Sequence, residues 1–236
     1  MRFTDMADEM FGTAQGALPA GVRLATAKRG GVTITRVEIA REGLAKPRGR
    51  YVTLEMPSVS VLDERDAAVI ETCAAELRAL LPPEGPVLVL GIGNRRVKGI
   101  RPVAAIAPGV SASTGLTLRQ LAGAMVEAVR PAALICVDSL CSAEGARLGR
   151  SVQFSDTGLY PAQADHAKHL NAAALGVPVI AAGIPTLMDS DEGADLVVTP
   201  RALDSVIAHG SALLAGAINR ALQPRLSVAQ LFWLAG

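Results

Sequence analysis

At 236 residues the chain can bury a substantial core, and one α/β domain over residues 1–236 is the expected organisation. Half of the residues are hydrophobic and only 3% are aromatic, so the core must be built from Ala, Val, Leu and Ile rather than from rings. A net charge of +1 gives no electrostatic basis for direct nucleic-acid or acidic-membrane contact, and the apolar runs fall short of the ~20 residues a membrane-spanning helix needs. Cys73, Cys136 and Cys141 lack metal-ligand spacing and fit a reducing, cytoplasmic compartment. The opening MRFTDMADEM carries acids where an export signal would be basic.

The first thirty residues lack sustained periodicity and read as a short helix and a flexible connection, a segment expected to be mobile or processed. GVTITRVEIA and RYVTLEM then alternate apolar and polar residues, which predicts an antiparallel strand pair with one wet face. Over residues 63–81, Val69, Cys73, Leu77 and Leu80 recur at helical spacing until Pro82 and Pro83 stop the run. PVLVLGIG, PVAAIA, AALICV and VPVIAAG are continuous apolar runs, the pattern of strands buried on both faces of a parallel or mixed sheet. Between them lie a helix through Leu118, Leu121, Met125 and Val129 and an Ala-rich one over residues 164–175. Thr199 and Pro200 form an N-cap pattern opening a helix that runs to about Leu222. The fold class is therefore a three-layer α/β sheet flanked by helices, with an N-terminal antiparallel pair.

Ligands of open α/β sheets collect at the carboxyl edge of the strands. Four strand ends there are chemically distinctive: Gly91, Gly93 and Asn94; Pro108 and Gly109; Asp138 and Ser139; Pro185 and Thr186. Asp138 follows AALICV directly, so partial desolvation would raise its pKa and suit it to acid–base work; capping a following helix is the structural alternative. The FSDTG segment places Asp156, Thr157 and Gly158 together, but one Asp-Thr-Gly in a parallel-sheet pattern fits a turn better than a pepsin-type dyad. GIGN lacks the third glycine of a dinucleotide fingerprint, since Arg96 takes its place. His166 and His169 beside Asp165 could face a metal, yet no third ligand is evident, and Cys141 has no nearby histidine to activate it. Arg95, Arg96, Lys98 and Arg101 form a basic cluster of the kind usually found in solvated loops. No metal and no cofactor are expected.

Several segments, in order, carry a family resemblance: FTDMA, RGRYVTLE, VLVLGIGN, GIRPVAAIAPGVSASTGL, ICVDSL, QFSDTGLYP, LGVPVIAAGIPTLMD and VVTPRALDSVIAHGSALLAGAINRAL. Together they resemble the germination protease family, the endopeptidases that degrade small acid-soluble spore proteins when a spore germinates. The resemblance implies a fold akin to hydrogenase-maturation endopeptidases, catalysis by two acidic residues, an activation cleavage, self-assembly into a homo-oligomer, and residence in the forespore or spore-core cytoplasm. Asp138, in VDSL, matches the second family acid. The first normally follows the GxGN turn by a few residues, whereas here no Asp or Glu occurs between Asn94 and Glu127. A further stretch is shortened between Asp191 and Val197, and AQADHAKH replaces the glycine-rich continuation of DTGLYP.

Amide hydrolysis needs one group to take a proton from water and another to protonate the leaving amine. Asp156, or Glu55 at the end of YVTLE, is the sequence's candidate for the absent partner. Two rival functions stand beside the peptidase: a non-catalytic relative that binds spore proteins or co-assembles with an active one, and a nucleotide-binding enzyme using Gly91 and Gly93.

Overall fold

The computed structural model describes residues 3–12, 17–61, 66–91, 103–107, 115–160, 169–189 and 197–235. From the first thirty residues come α1 (Ala7–Gly12) and β1 (Val22–Arg29). β1 pairs antiparallel with β2 (Val32–Ile39), and β2 with β3 (Gly49–Glu55), so the expected pair gains a third strand. β1 is an edge strand, largely exposed, and Arg23, Lys28 and Arg29 obscure its alternation.

α2 (Ala67–Leu80) buries Val69, Cys73, Leu77 and Leu80, the residues its periodicity singles out. Its first turn is capped by the Asp66 carboxylate, which accepts from the amides of Ala68 and Val69 at 3.0 and 3.2 Å. β4 (Val87–Gly91), β5 (Val103–Ile106) and α3 (Leu118–Val129) follow; Thr117 and Gln120 close a reciprocal capping box on α3. Next come β6 (Ala133–Cys141), a single 3₁₀ turn (Gly145–Arg147), β7 (Ser151–Ser155) and α4 (Ala172–Leu175), the described part of the Ala-rich helix. β8 (Val179–Asp189), the short β9 (Val197–Val198), α5 (Leu203–Leu222) and α6 (Val228–Ala235) complete the elements. α5 begins three residues beyond Pro200, whose carbonyl instead closes a turn with the Leu203 amide.

The described strands form one mixed sheet in the order β1-β2-β3-β7-β8-β6-β4-β5, with β9 against β8. β8, β6, β4 and β5 run parallel, as their unbroken apolar runs predict. β7 lies antiparallel to both β3 and β8 and joins the two halves. Alternation along the strands separates two faces. One packs Ile34, Leu54, Ile135, Phe154 and Ile180 against α2, α5 and α6. Leu88, Leu134, Cys136 and Ala181 pack on the other face with α3 and α4, and Val37, Ile39 and Tyr51 pack with α1. No helix among the described residues is long and apolar enough to cross a membrane.

Candidate active site

β6 carries Asp138 beyond the end of β4. In the parallel ladder Gly91, the last residue of β4, stands opposite Val137, while on the other flank β6 stays paired with β8, Asp138 opposite Gly183. The strand does not stop at Asp138; it runs on to Cys141. Asp138 is therefore paired with β8 on one side and, on the other, lies one residue beyond the partner of the last described residue of β4. It is half-buried, and Ser139 beside it is exposed.

The electrostatics follow from that position. Desolvation raises the Asp138 pKa above its ordinary value; the Ser139 amide, donating to Oδ1 at 2.8 Å, works against the rise, and the charge of Asp5 adds to it. Cys136, one turn of the pleat below, has its thiol pushed up to about 12 by burial and by Asp138, so it is a packed thiol rather than a nucleophile. The backbone carbonyl of Asp138 and the Leu140 side chain press so closely on Gly183 that a side chain there would collide with both.

An N-terminal segment closes over this edge. Asp5 donates its amide to the Cys141 carbonyl at 2.8 Å and accepts from the Cys141 amide, through Oδ2, at 2.8 Å. Gln153 of β7 clamps the same segment by accepting from the Ala7 amide and donating to the Asp5 carbonyl, both at 2.8 Å. Glu9 is buried and accepts from Thr4, Ser142 and the Ala143 amide. Arg147 joins Asp8, Glu55, Glu144 and Glu9 at 2.5, 2.8, 3.3 and 3.5 Å. Its burial opposes the charge, but Asp8 and then Glu55 and Glu9 outweigh this and raise its pKa. Lys46 lies over the Phe3 ring at 6.0 Å; burial lowers its pKa against the attraction of Asp5, Glu9 and Cys141.

The remaining residues singled out in the sequence fall into three places. Ser139, Pro185 and Thr186 share the Asp138 edge: Pro185 stands opposite Leu140, and Thr186 is buried next to it. Gly91 ends the neighbouring strand. Asp156, Thr157 and Gly158 follow β7, which runs opposite to β8, and so occur near the other end of the sheet. There Asp156 accepts from the Arg50 amide and from Arg50 Nε, each at 2.7 Å, and Gly158 adopts φ +92° against the backbone of Leu170 and Asn171. Glu55 reaches the correct end but is bound to Arg147, three strand positions from β6, on the order of 14 Å away. Gly93, Asn94, Pro108, Gly109, Asp165, His166 and the Arg95 to Arg101 cluster lie outside the described residues. Among the described residues no group of His, Cys, Asp and Glu could hold a metal ion. A cavity of about 590 Å³ opens at the C-terminal ends of α2 and α5, lined by Arg78, Pro82, Pro83 and Arg225, away from Asp138.

A mixed sheet flanked by helices, with a half-buried, desolvated carboxyl beside its parallel strands, defines the class as an α/β protein. Comparison with known proteins narrows the class. Residues 94–192, which include Asp138, match the family model described as Germination protease. The Germination protease of Clostridium perfringens is 29% identical over 282 residues, covering 83% of this chain and 86% of the relative. That of Clostridium acetobutylicum is 26% identical, covering 89% of this chain and 91% of the relative, and that of Priestia megaterium is 31% identical, covering 80% and 60%. The chain is a homologue of the germination proteases. The Clostridium perfringens alignment is longer than the 236 residues of this chain, so the relative carries internal segments without counterparts here.

Proposed function

We propose that this chain is an endopeptidase that hydrolyses spore proteins during germination, working as one α/β domain over residues 1–236 with Asp138 as its principal acid. The observation that carries the reading is the half-buried Asp138 carboxyl beyond the end of β4, within the stretch matched by the germination protease family. A carboxyl with a raised pKa keeps its proton nearer to neutrality, where it can be delivered to the nitrogen of a breaking peptide bond. Small acid-soluble spore proteins in the forespore or spore core are the proposed substrates, and a homo-oligomer is the proposed assembly.

A second reading rests on a specific observation. The absence of an acid between Asn94 and Glu127, together with the gaps against relatives, fits a chain that binds spore proteins or co-assembles with an active relative without cleaving them. One experiment separates the two. Purified protein and its Asp138→Asn variant are incubated with a small acid-soluble spore protein, and the products are followed by mass spectrometry. Discrete fragments from the parent protein, lost in the variant, are expected of the peptidase; intact substrate that co-purifies with both proteins supports the binding reading and overturns the first.

A further inference from the structure

The hydrogen-bond directions along β6 show where a partner for Asp138 is held. Leu134 donates its amide to Pro178 and Ser142 donates to Leu187, so even-numbered residues of this strand turn their amides toward β8. Odd-numbered residues turn theirs toward β4. Beyond Val137, which stands opposite the last described residue of β4, the next two odd-numbered amides of β6 belong to Ser139 and Cys141. Both are met by carboxylates: Ser139 by Asp138 Oδ1 and Cys141 by Asp5 Oδ2, each at 2.8 Å. Two residues of extended strand separate the amides by about 6.6 Å, which puts the carboxylates on the order of 6–8 Å apart on one flank of one strand. Carboxyls that share a proton lie about 3 Å apart, whereas the pair of an inverting glycosidase, one of which activates a water, stands at roughly 6.5–9.5 Å. The spacing of the β6 pair overlaps the second range and is well beyond the first.

We propose that Asp5, delivered by the N-terminal segment, is the second carboxylate of the active site and the base that works with Asp138 as acid. The assignment rests on the peptidase reading above and supplies the partner that the stretch after Asn94 lacks. Asp5 is suited to the base by its surroundings, the Cys141 amide on Oδ2 and the attraction of Lys46. In the step, Asp5 takes a proton from water as its oxygen bonds to the peptide carbonyl carbon. The C–N bond then breaks, its electron pair stays on nitrogen, and nitrogen takes the proton of Asp138. Asp5 loses its new proton to solvent and Asp138 regains one, leaving a carboxylic acid and an amine from peptide and water. The clamp by Gln153 and the two-point attachment to Cys141 hold Asp5 in place without occupying Asp138.

The test combines titration and turnover on the full-length protein carrying ¹³C at the aspartate carboxyls. Among the described residues the titratable groups facing the pair are Lys46, Glu9, Cys136 and Cys141, and the carboxyl signals are assigned by through-bond correlation in the unmodified protein. In the unmodified protein the Asp138 signal is expected to move in two coupled steps, one following Asp5. Asp5→Asn is expected to lower the Asp138 titration and to cut kcat on a small acid-soluble spore protein by about 10²–10⁴-fold with KM little changed, with Asp5→Glu restoring part of the rate. A single Asp138 step with no response to Asp5 overturns the proposal, and that measurement needs no variant to fold. Turnover kept by a folded Asp5→Asn protein overturns it as well, while leaving the peptidase reading intact. Coupled titration in a protein that cleaves nothing overturns the peptidase reading together with the base role of Asp5, and keeps only the electrostatic pairing.

Discussion

Gly183 of β8 lies directly against Asp138 of β6, and a Cβ built on it would press into the Asp138 carbonyl and stand 2.6 Å from Leu140 Cγ. Backbone cannot yield as a flexible side-chain tip can. Gly183→Ala should therefore destabilise the fold by about 1–3 kcal/mol and shift the strand that carries the acid. Urea unfolding measures the first effect, and the ¹³C signal of Asp138 reports the second. A variant as stable as the parent with an unmoved signal would show that the contact is slack.

Asp138 itself should be a stability liability. Its folded-state pKa is raised, chiefly by desolvation, so the folded chain binds more protons than the unfolded one across the interval between the ordinary and the raised value. Stability contributed by this group is present below the ordinary aspartate pKa of about 3.9 and is lost as pH rises through the folded value. Asn accepts the same Ser139 hydrogen bond without a charge. Asp138→Asn should thus raise Tm near neutral pH, with the gain disappearing at pH below the ordinary carboxylate range; thermal melts across pH test the sign.

Removing Arg147 should have the opposite and larger effect. Asp8 and Glu9 are 3% and 5% exposed, and Arg147→Met would leave both beside Glu144 without their shared cation. A cost of about 3–5 kcal/mol is expected, as for a buried pair that loses one partner. Glu55→Gln, at the more exposed rim of the same cluster, should cost less than about 1 kcal/mol. Hydrogen exchange at the amides of Asp5 and Ala7 should accelerate in the first variant and not in the second.

Asp156→Asn offers a contrast at the far end of the sheet. Its two bonds to Arg50 tie the loop after β7 to β3, and Arg50 is half-exposed, so solvent screening limits their worth. A loss of about 1 kcal/mol in urea unfolding is expected, with cleavage of a spore protein unchanged. A fall in kcat at constant stability would place Asp156 in the chemistry after all.

What could be read in the chain beforehand divides along physical lines. α2 and the parallel strands were legible because burial on one stripe or both faces leaves periodic or unbroken apolar runs, as in Val69, Cys73 and Leu77 or in ALICV. Asp138 was legible for the same reason, being the first charge after such a run. β1 was hidden because an edge strand with most of its residues in water needs no apolar pattern. Asp5, Asp8 and Glu9 were hidden more deeply, since acids near a terminus ordinarily read as solvated. Their burial depends on Cys141, Arg147 and Gln153, over a hundred residues away. The FTDMA match and Arg147 in GARLGR were the available signals, and neither specifies the contact.

The attachment of Asp5 to Cys141 and of Ala7 to Gln153 spans 136 and 146 positions of sequence. A chain emerging from the ribosome must expose its first residues until β6 and β7 have been made, so this edge of the sheet closes late in synthesis and through contacts of high order. Fragments ending between Asp138 and Gln153 contain both acids but lack the clamp that brings the segment home. The chemistry proposed for this edge thereby becomes available only to a chain that has already built its central sheet.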